Sequence, residues 1–248
     1  MSKVIVITGA GSGLGRELAL SFSRRGDRVV LLGRTLGKLQ AVAAELAGES
    51  LCVACNVSAP GDVRAAFAAI DERFGRIDVL INNAGIFVPS PVSEASDDYV
   101  VQTIATNLTG AILCAREATR RMEPGGYLIN VSSESVDMPF PHMTIYQASK
   151  AGLERFGLSL HDELEDRGIR VTNVRAGAMG GENYIIAGDP QAYANFMIAA
   201  KARGLDFMIR PISTFASVTE LFHTLVDLPA DVHLAGLQVH ARGTSAST

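Results

Sequence analysis

The chain has 248 residues, of which 48% are apolar and 19% charged, a composition typical of a globular protein and far from that of disordered chains. Lys and Arg number 22 against 26 Asp and Glu, and the resulting net charge of −4, without basic blocks, argues against a nucleic acid as partner. Because the apolar run at residues 4–7 is too short for a signal peptide and no run of about 20 apolar residues follows, we expect a cytoplasmic protein that does not span a membrane.

Short apolar runs alternate with helical periodicity along most of the chain. Continuous apolar runs bounded by turns are typical of strands buried on both faces. They predict strands at residues 4–7, 29–32, 51–54, 79–81, 127–131, 169–174 and 237–240. Apolar residues at helical spacing predict helices at residues 14–24, 36–46, 62–74, 96–122, 146–167 and 213–226. The pattern of residues 178–212 is irregular.

This alternation predicts an α/β fold, with a parallel sheet that is covered by helices on both faces and joined by right-handed crossovers. Since no Pro- or Ser-rich linker interrupts it, we expect one domain over residues 1–248, with a frayed polar tail at residues 243–248.

The first predicted strand is followed by a glycine-rich segment, TGAGSGLG, at residues 8–15. Glycines allow a tight turn and a close approach of backbone to a pyrophosphate, and the following helix N-terminus offers N–H groups to the anion. An ordinary strand–helix turn is the alternative, which the strand–turn–helix context disfavours. The residues expected to contact a dinucleotide are Gly9, Gly11, Ser12, Gly13, Leu14 and Gly15.

The end of the second strand indicates which dinucleotide is used. An acidic residue there would bind the adenosine ribose of NAD, but this chain has Gly33 followed by Arg34. An arginine can pair with a 2′-phosphate through two hydrogen bonds, so NADP is favoured over NAD. The alternative is that Arg34 is a solvated loop charge.

A second chemical signal is a tyrosine four residues before a lysine, Tyr146 and Lys150, on one face of a predicted helix. A nearby cation favours the phenolate and lowers the pKa of a tyrosine, which is near 10 when free. The pair could thus donate and accept a proton near neutral pH. YxxxK alone is common as a surface helix pair. Here, however, Ser132 and Ser133 lie at the end of the fifth strand, where ligands of parallel sheets bind.

Taken in order, these motifs resemble those of the short-chain dehydrogenase/reductase family, over residues 3–178 and more loosely over 210–240. TGxxxGxG matches residues 8–15 and NNAG matches residues 82–85. The family's helix asparagine matches Asn107, and its serine, thirteen positions before the tyrosine, matches Ser133. The resemblance implies a Rossmann-like, doubly wound, mostly parallel seven-stranded sheet and a homo-oligomer, a dimer or tetramer with helices 96–122 and 146–167 paired between subunits.

The resemblance also implies the reaction, hydride transfer between NADP(H) and a carbonyl or secondary alcohol. Tyr146 would be the proton donor or acceptor, and Lys150 would lower the pKa of Tyr146 and bind the nicotinamide ribose. Ser133 would hold the substrate oxygen. Asn107 would position a water that connects Lys150 to solvent, or else bond only backbone as a kinked-helix asparagine.

Further cofactor contacts are carried over from the family with two departures. The implied residues are Asn56, Val57, Asn83, Ala84, Gly85, Gly177 and Met179. Asn56 stands where the family usually has Asp. After the sixth strand the usual Pro-Gly is replaced by Arg175-Ala176-Gly177, which puts the contacts of that loop in doubt. The stretch at residues 228–232 resembles members that favour NADP.

Substrate choice is expected to lie in residues 134–145 and in a lid at residues 178–212. Apolar lid residues suit a hydrophobic substrate, or else pack the lid against its own core. They are Met179, Tyr184, Ile185, Ile186, Phe196, Met197, Phe207 and Met208. Three loop residues that could contact a polar group, but are more simply solvated, are Glu134, Asp137 and His142.

Other signals weigh less. Cys52 and Cys55 form a CxxC without a thioredoxin-like context, and the five histidines show no metal-ligand spacing, so no metal is expected. Two alternatives to the dehydrogenase remain: a dinucleotide-binding sensor without catalysis, and an epimerase or dehydratase on the same fold.

Overall fold

The computed structural model describes residues 2–180 and 189–243, and its centre is a parallel sheet. In chain order the strands are β1 (Val4–Thr8), β2 (Arg28–Gly33), β3 (Ser50–Ala54), β4 (Val79–Asn82), β5 (Tyr127–Ser133), β6 (Arg170–Ala176), β7 (Met179–Gly180), β8 (Ser213–Thr214) and β9 (Gly236–Val239). Seven of them form one sheet in the order β3-β2-β1-β4-β5-β6-β9, and every neighbouring pair is parallel. The predicted fold class is confirmed.

The helices connect successive strands. They are α1 (Gly13–Arg24), α2 (Leu36–Ala43), α3 (Pro60–Phe74), α4 (Asp97–Ile104), α5 (Gly110–Thr119), α6 (Thr144–Leu164), α7 (Pro190–Lys201) and α8 (Phe215–Asp227). Helix α2 ends three residues before the predicted 46. The predicted tail beyond residue 243 lies outside the described residues.

Two apolar clusters cover the two faces of the sheet. Alternate residues of a strand point to opposite faces, so Ile5 and Ile7 pack under α1, α2 and α8, whereas Val4 and Val6 pack under α3 and α5. All four of these side chains are fully buried. Such two-sided burial explains why the strands have continuous apolar sequences rather than alternating ones.

A ladder of buried asparagines crosses the sheet near its carboxyl edge. Asn82, Asn130 and Asn173 are register partners on β4, β5 and β6. Asn82 Nδ2 donates to Asn130 Oδ1 at 3.0 Å, and Asn130 Nδ2 donates to Asn173 Oδ1 at 3.1 Å. Asn173 Nδ2 then donates to the carbonyl of Glu154 in α6 at 3.0 Å. A Cβ on Gly157 would lie 2.2 Å from Asn173 Oδ1, so glycine lets α6 approach this ladder.

Two predicted segments differ from the structure. The helix predicted at residues 96–122 ends at Thr119 and is divided by a π-helical segment, Ala105–Thr109, which carries Asn107. The irregular segment predicted at 178–212 contains α7. Its N-cap is Asp189, whose side chain accepts from the N–H of Gln191, and Pro190 occupies the first turn. That Asp-Pro pair is a start signal which the irregular hydropathy of the segment obscures.

Candidate active site

The glycine-rich turn depends on three of its glycines for its shape, and one of them is Gly13, whose φ is +54°. Gly9 has a φ of +68°, a left-handed conformation that side chains disfavour. A Cβ on Gly15 would lie only 2.4 Å from the carbonyl oxygen of Gly9, so the first turn of α1 can fold back on the strand end only with glycine there. The backbone is therefore exposed where an anion would lie.

Thr8 joins this turn to the asparagine motif after β4. Its Oγ1 accepts from the N–H groups of Asn83 at 3.0 Å and Ala84 at 2.9 Å, and Asn83 Nδ2 donates to the carbonyl of Thr8 at 2.9 Å. Asn83 thus holds the glycine-rich turn in place. Gly85 is exposed, and a Cβ there would lie 3.5 Å from Lys150 Nζ.

The N-terminus of α1 fits a pyrophosphate. The N-cap, Ser12, uses no side-chain oxygen to cap the helix, so its first-turn N–H groups can serve an external anion. Leu14 packs its side chain into the core, which leaves only its main chain for a ligand. A Cβ on Gly11 would lie 3.2 Å from Lys38 Cβ, which places exposed α2 beside the turn.

Arg34 lies at the same edge. The N–H of Ala10 donates to the carbonyl of Leu32 at 3.1 Å, which ties the glycine-rich turn to the end of β2 two residues before the exposed Arg34. Lys38, on the first turns of α2, is a second cation at this edge that the sequence patterns did not single out. Together they give this edge of the sheet a positive charge.

Lys150 is buried, with 4% of its surface exposed. Its Nζ donates to the carbonyl of Val131 on β5 at 2.8 Å and lies 5.8 Å from the ring centroid of Tyr146. Burial lowers the pKa of Lys150 from 10.5 to about 8, and the carboxylate of Glu154 opposes that fall. The ammonium of Lys150 and the ring of Tyr146 therefore lie near each other on one helix.

Asn107 anchors the loop after β4 to α6. Its Oδ1 accepts from the N–H of Ile86 at 2.8 Å, and its Nδ2 donates to the Ile86 carbonyl at 3.0 Å and to Ser149 Oγ at 3.1 Å. Ser149 Oγ in turn donates to the carbonyl of Tyr146 at 2.6 Å. The amide of Asn107 thus bonds both the backbone of Ile86 and the side chain of Ser149, so it does not bond backbone alone.

Ser133 ends β5, and the same strand supplies the carbonyl that holds Lys150. The Ser133 side chain is buried and accepts from the N–H of Ser135 at 3.1 Å, which leaves its hydroxyl hydrogen for another acceptor. Its neighbour Ser132 faces α6, where its Oγ lies 3.5 Å from the Lys150 carbonyl. Alternation along the strand therefore separates the two serines.

The remaining residues that the sequence analysis assigns to cofactor contacts have side chains that are mostly used elsewhere in the protein. Asn56 Oδ1 accepts from Ser58 N and Oγ, so its oxygen is used in a local turn, and the Val57 side chain is buried in the core against Gly110. Gly177 adjoins β9: a Cβ there would lie 2.4 Å from the Val239 carbonyl. Met179 packs its side chain against the core.

Phe87, in the loop after β4, connects the predicted catalytic tyrosine to aromatic side chains of the lid. Phe87 lies 5.1 Å from the ring of Tyr146, and it also contacts Tyr193 and Phe196 of α7 at 5.9 and 6.2 Å between centroids. Met197 and Phe207 also pack in this cluster, which is the third apolar cluster of the described residues. Met208 is instead 81% exposed, and the predicted lid residues Tyr184, Ile185 and Ile186 lie outside the described residues.

Glu134 differs from the expected solvated loop charge. It is 5% exposed and pairs with Arg210 of the lid, and His240 Nδ1 lies 3.3 Å from its carboxylate. Arg210 also stacks over the rings of Phe140 and Phe207, at 5.5 and 5.7 Å. The residue after Ser133 therefore fastens the lid to the sheet edge. Asp137 is the more exposed partner of Arg175, and His142 has a φ of 57°.

Comparison with known proteins agrees with this geometry. A family model described as short chain dehydrogenase matches residues 3–184. The chain belongs to the short-chain dehydrogenase family. It is 30% identical to a serine 3-dehydrogenase of Rhizobium radiobacter, over 97% of this chain and 99% of that one. It is 40% identical over 153 residues to a 3beta-hydroxysteroid dehydrogenase of Mediterraneibacter gnavus, but this alignment spans only 60% of this chain and 55% of that relative.

A solved structure extends the likeness to the whole fold of this short-chain dehydrogenase. The closed form of a serine dehydrogenase complexed with NADP+ is 25% identical, with a TM-score of 0.82, over 99% of this chain and 98% of that one. The resemblance to the family that the motifs indicated is therefore confirmed. The described helices include none that is long and apolar enough to cross a membrane.

The CxxC of this short-chain dehydrogenase does not form a disulfide. Cys52 and Cys55 are both free, and burial raises the pKa of Cys55 to about 11. Burial raises the pKa of Cys52 as well. Since the thiolate is the reactive form, these values favour the interpretation of two structural residues near a strand end.

Proposed function

We propose that the chain is an NADP(H)-dependent oxidoreductase that acts on a carbonyl or secondary alcohol, with Tyr146 as proton donor and acceptor. The observation that carries this proposal is the position of Lys150. Its ammonium is buried against Val131 and lies beside the Tyr146 ring, at the strand edge that also carries Ser133 and the glycine-rich turn. A purely structural role would not explain why a lysine is buried there at an energetic cost.

The side chains can perform the proton steps as follows. During reduction the Tyr146 hydroxyl donates its proton to the substrate oxygen, and the Lys150 ammonium stabilises the phenolate that remains. The Ser133 hydroxyl donates to the same oxygen and fixes its position. In the oxidative direction the phenolate takes the alcohol proton. The nicotinamide ring, when bound, supplies or receives the hydride.

Charge at the adenosine side supports NADP rather than NAD. Gly33 brings no carboxylate to the position where an acid would meet the ribose, and Arg34 and Lys38 are exposed at the edge beside the turn. A 2′-phosphate is the anion that two such cations would hold. The serine dehydrogenase of similar structure was solved with NADP+. Adenine contacts would come from the main chain near Asn56 and Val57, because the oxygen of one and the side chain of the other are otherwise used.

The substrate site is bounded by aromatic side chains. Phe87 packs against Tyr146, and Tyr193 and Phe196 pack against Phe87, which suits a hydrophobic substrate or one with a hydrophobic part. The two relatives are named for serine and for a hydroxysteroid. A screen should therefore include hydroxy amino acids, hydroxysteroids and simple aromatic ketones.

Turnover with and without the Tyr146 hydroxyl tests the proposal. We expect the wild type either to oxidise NADPH with a ketone of the screen or to reduce NADP+ with one of its alcohols, read as a change in NADPH absorbance. Tyr146→Phe should abolish turnover and retain NADPH binding, measured by fluorescence titration. A wild type that binds NADPH but turns over no substrate would favour the sensor alternative. Unchanged turnover in Tyr146→Phe would contradict the proposed role.

We also propose a homo-oligomer, a dimer or tetramer, on the basis of family likeness and of exposed apolar residues on the long helices. Val101 on α4 is 61% exposed and Leu158 on α6 is 40% exposed. The mass in solution, measured by light scattering at micromolar concentration, tests this. A monomeric mass would contradict it, and Val101→Glu should dissociate the assembly if α4 is part of the interface.

A further inference from the structure

A buried ion pair lies one helical turn beyond the predicted catalytic lysine. Glu154 follows Lys150 by four residues, as Lys150 follows Tyr146, so the three side chains share one face of α6. Arg175 on β6 donates to both carboxylate oxygens of Glu154, from Nε at 2.8 Å and from Nη2 at 2.7 Å. Glu154 is 9% exposed.

The position of this pair is fixed from several sides. The Glu154 carbonyl accepts from Asn173 Nδ2 at 3.0 Å, so the asparagine ladder holds this turn of α6. Arg175 is the register partner of Ser132 on β5, and its third guanidinium nitrogen, Nη1, pairs with Asp137. Arg175 also begins the Arg-Ala-Gly segment where the sequence departs from the family's Pro-Gly pattern.

Within the described part of the chain, the titratable and charged groups that face Lys150 come from α6 and from the elements packed against it. On α6 they are Tyr146 and Glu154, and β5 contributes only the carbonyl of Val131. The π-helical segment contributes the neutral amide of Asn107. Charged groups on the other packed elements are Arg175 of β6, Asp137 and Glu134 of the turn after β5, and Arg210 of the lid.

We propose that Glu154 and Arg175 are positioning residues that set the electrostatic field at Lys150, with Arg175 limiting how strongly the Glu154 carboxylate holds the Lys150 proton. This inference rests on the proposed function only for its kinetic consequence. Without Arg175 the carboxylate would be unopposed and would stabilise the ammonium more strongly. Without Glu154 the guanidinium would keep only Asp137 as its carboxylate partner among the described residues and would destabilise the ammonium.

The physical support comes from the burial of the groups. Burial lowers the pKa of Lys150 and Glu154 raises it, so the pair acts against the main cause of the shift. A carboxylate one helical turn away in partly buried space retains an effect on the order of one pKa unit. The Arg175 side chain is 29% exposed, which reduces this effect by solvent screening.

The decisive experiment is a titration of the Lys150 side chain by its 13Cε chemical shift, with Lys150→Met to assign the signal. We expect the Lys150 pKa to rise by roughly 0.5–1 in Arg175→Gln and to fall by a similar amount in Glu154→Gln. Arg175→Lys keeps the charge and should remain close to the wild type. Arg155→Gln removes the same charge from an exposed neighbour on α6 and is the matched control.

The pH profile of kcat supplies the kinetic readout. Its alkaline limb should move to higher pH in Arg175→Gln and to lower pH in Glu154→Gln. If Arg175→Gln does not fold, the double variant Glu154→Gln with Arg175→Gln avoids an unpaired carboxylate and should fall between the two single variants. Equal lysine titrations in Arg175→Gln, Glu154→Gln and Arg155→Gln would overturn the inference. Absence of turnover with a shifted lysine titration would refute the proposed function alone.

Discussion

Stability and the proposed chemistry make opposite demands on Lys150. Burial lowers its pKa from 10.5 to about 8, which at about 1.36 kcal/mol per pKa unit amounts to about 3 kcal/mol of destabilisation by the charged form. Replacement by methionine removes this penalty and retains an apolar chain of similar length. It also removes the hydrogen bond to Val131, worth about 1–2 kcal/mol. We therefore expect Lys150→Met to be more stable than the wild type at pH 7 by about 1–2 kcal/mol and to be inactive.

The pH dependence gives the sharper test. Between pH 8 and 10.5 the unfolded chain holds more protons at Lys150 than the folded chain, so the wild type gains stability as the pH rises through this window. The advantage of Lys150→Met, measured by urea unfolding, should therefore be largest below pH 8, vanish within this window and reverse in favour of the wild type by pH 10.5. Lys201→Met, at a side chain that is 70% exposed, is the control and should show no such trend. A stability difference that is independent of pH would refute the reasoning.

Three further variants test other parts of the structure. Arg34→Gln should weaken NADPH binding about tenfold while leaving NADH binding unchanged in fluorescence titrations, since it removes a phosphate partner; equal losses would contradict the role of Arg34. Gly157→Ala should lower the free energy of unfolding by about 1–3 kcal/mol, because its Cβ would lie 2.2 Å from a buried asparagine oxygen, whereas Gly61→Ala meets nothing within 4 Å and should not. Arg210→Met should break the ion pair with Glu134 and speed amide exchange in α7 about tenfold; unchanged exchange would show that the lid is held by its aromatic cluster alone.

The strands and the order of the motifs were accessible from the sequence because they depend on local patterns. A strand buried on both faces needs a continuous apolar run, and the run at residues 4–7, which ends beside a glycine turn, is too short to form a helix. Tyr146 and Lys150 lie within one helix, so their spacing alone determines that they share a face. The same holds for Gly9 and Gly15, whose turn is a local structure.

Features that depend on distant contacts were not accessible. The burial of Glu134 results from Arg210, which follows it by 76 residues, and no local pattern links the two. The π-helical turn around Asn107 depends on a bond to Ile86 in another loop. The pairing of Glu154 with Arg175 could have been suspected from the sequence. Glu154 continues the four-residue spacing of Tyr146 and Lys150, and Arg175 begins the segment that stands in place of the family's uncharged Pro-Gly.

The extra residue in the π-helical turn Ala105–Thr109 changes the angle about the helix axis between α4 and α5, which it joins without a break. Each added residue rotates a helix by about 100°. The exposed face of α4 and the buried face of α5 therefore need not lie on the same side of the helix axis. Deletion of one residue there would restore regular α-helical winding and rotate α4 about the helix axis relative to α5. Ile86 would then lose the two hydrogen bonds that its backbone makes with the Asn107 side chain.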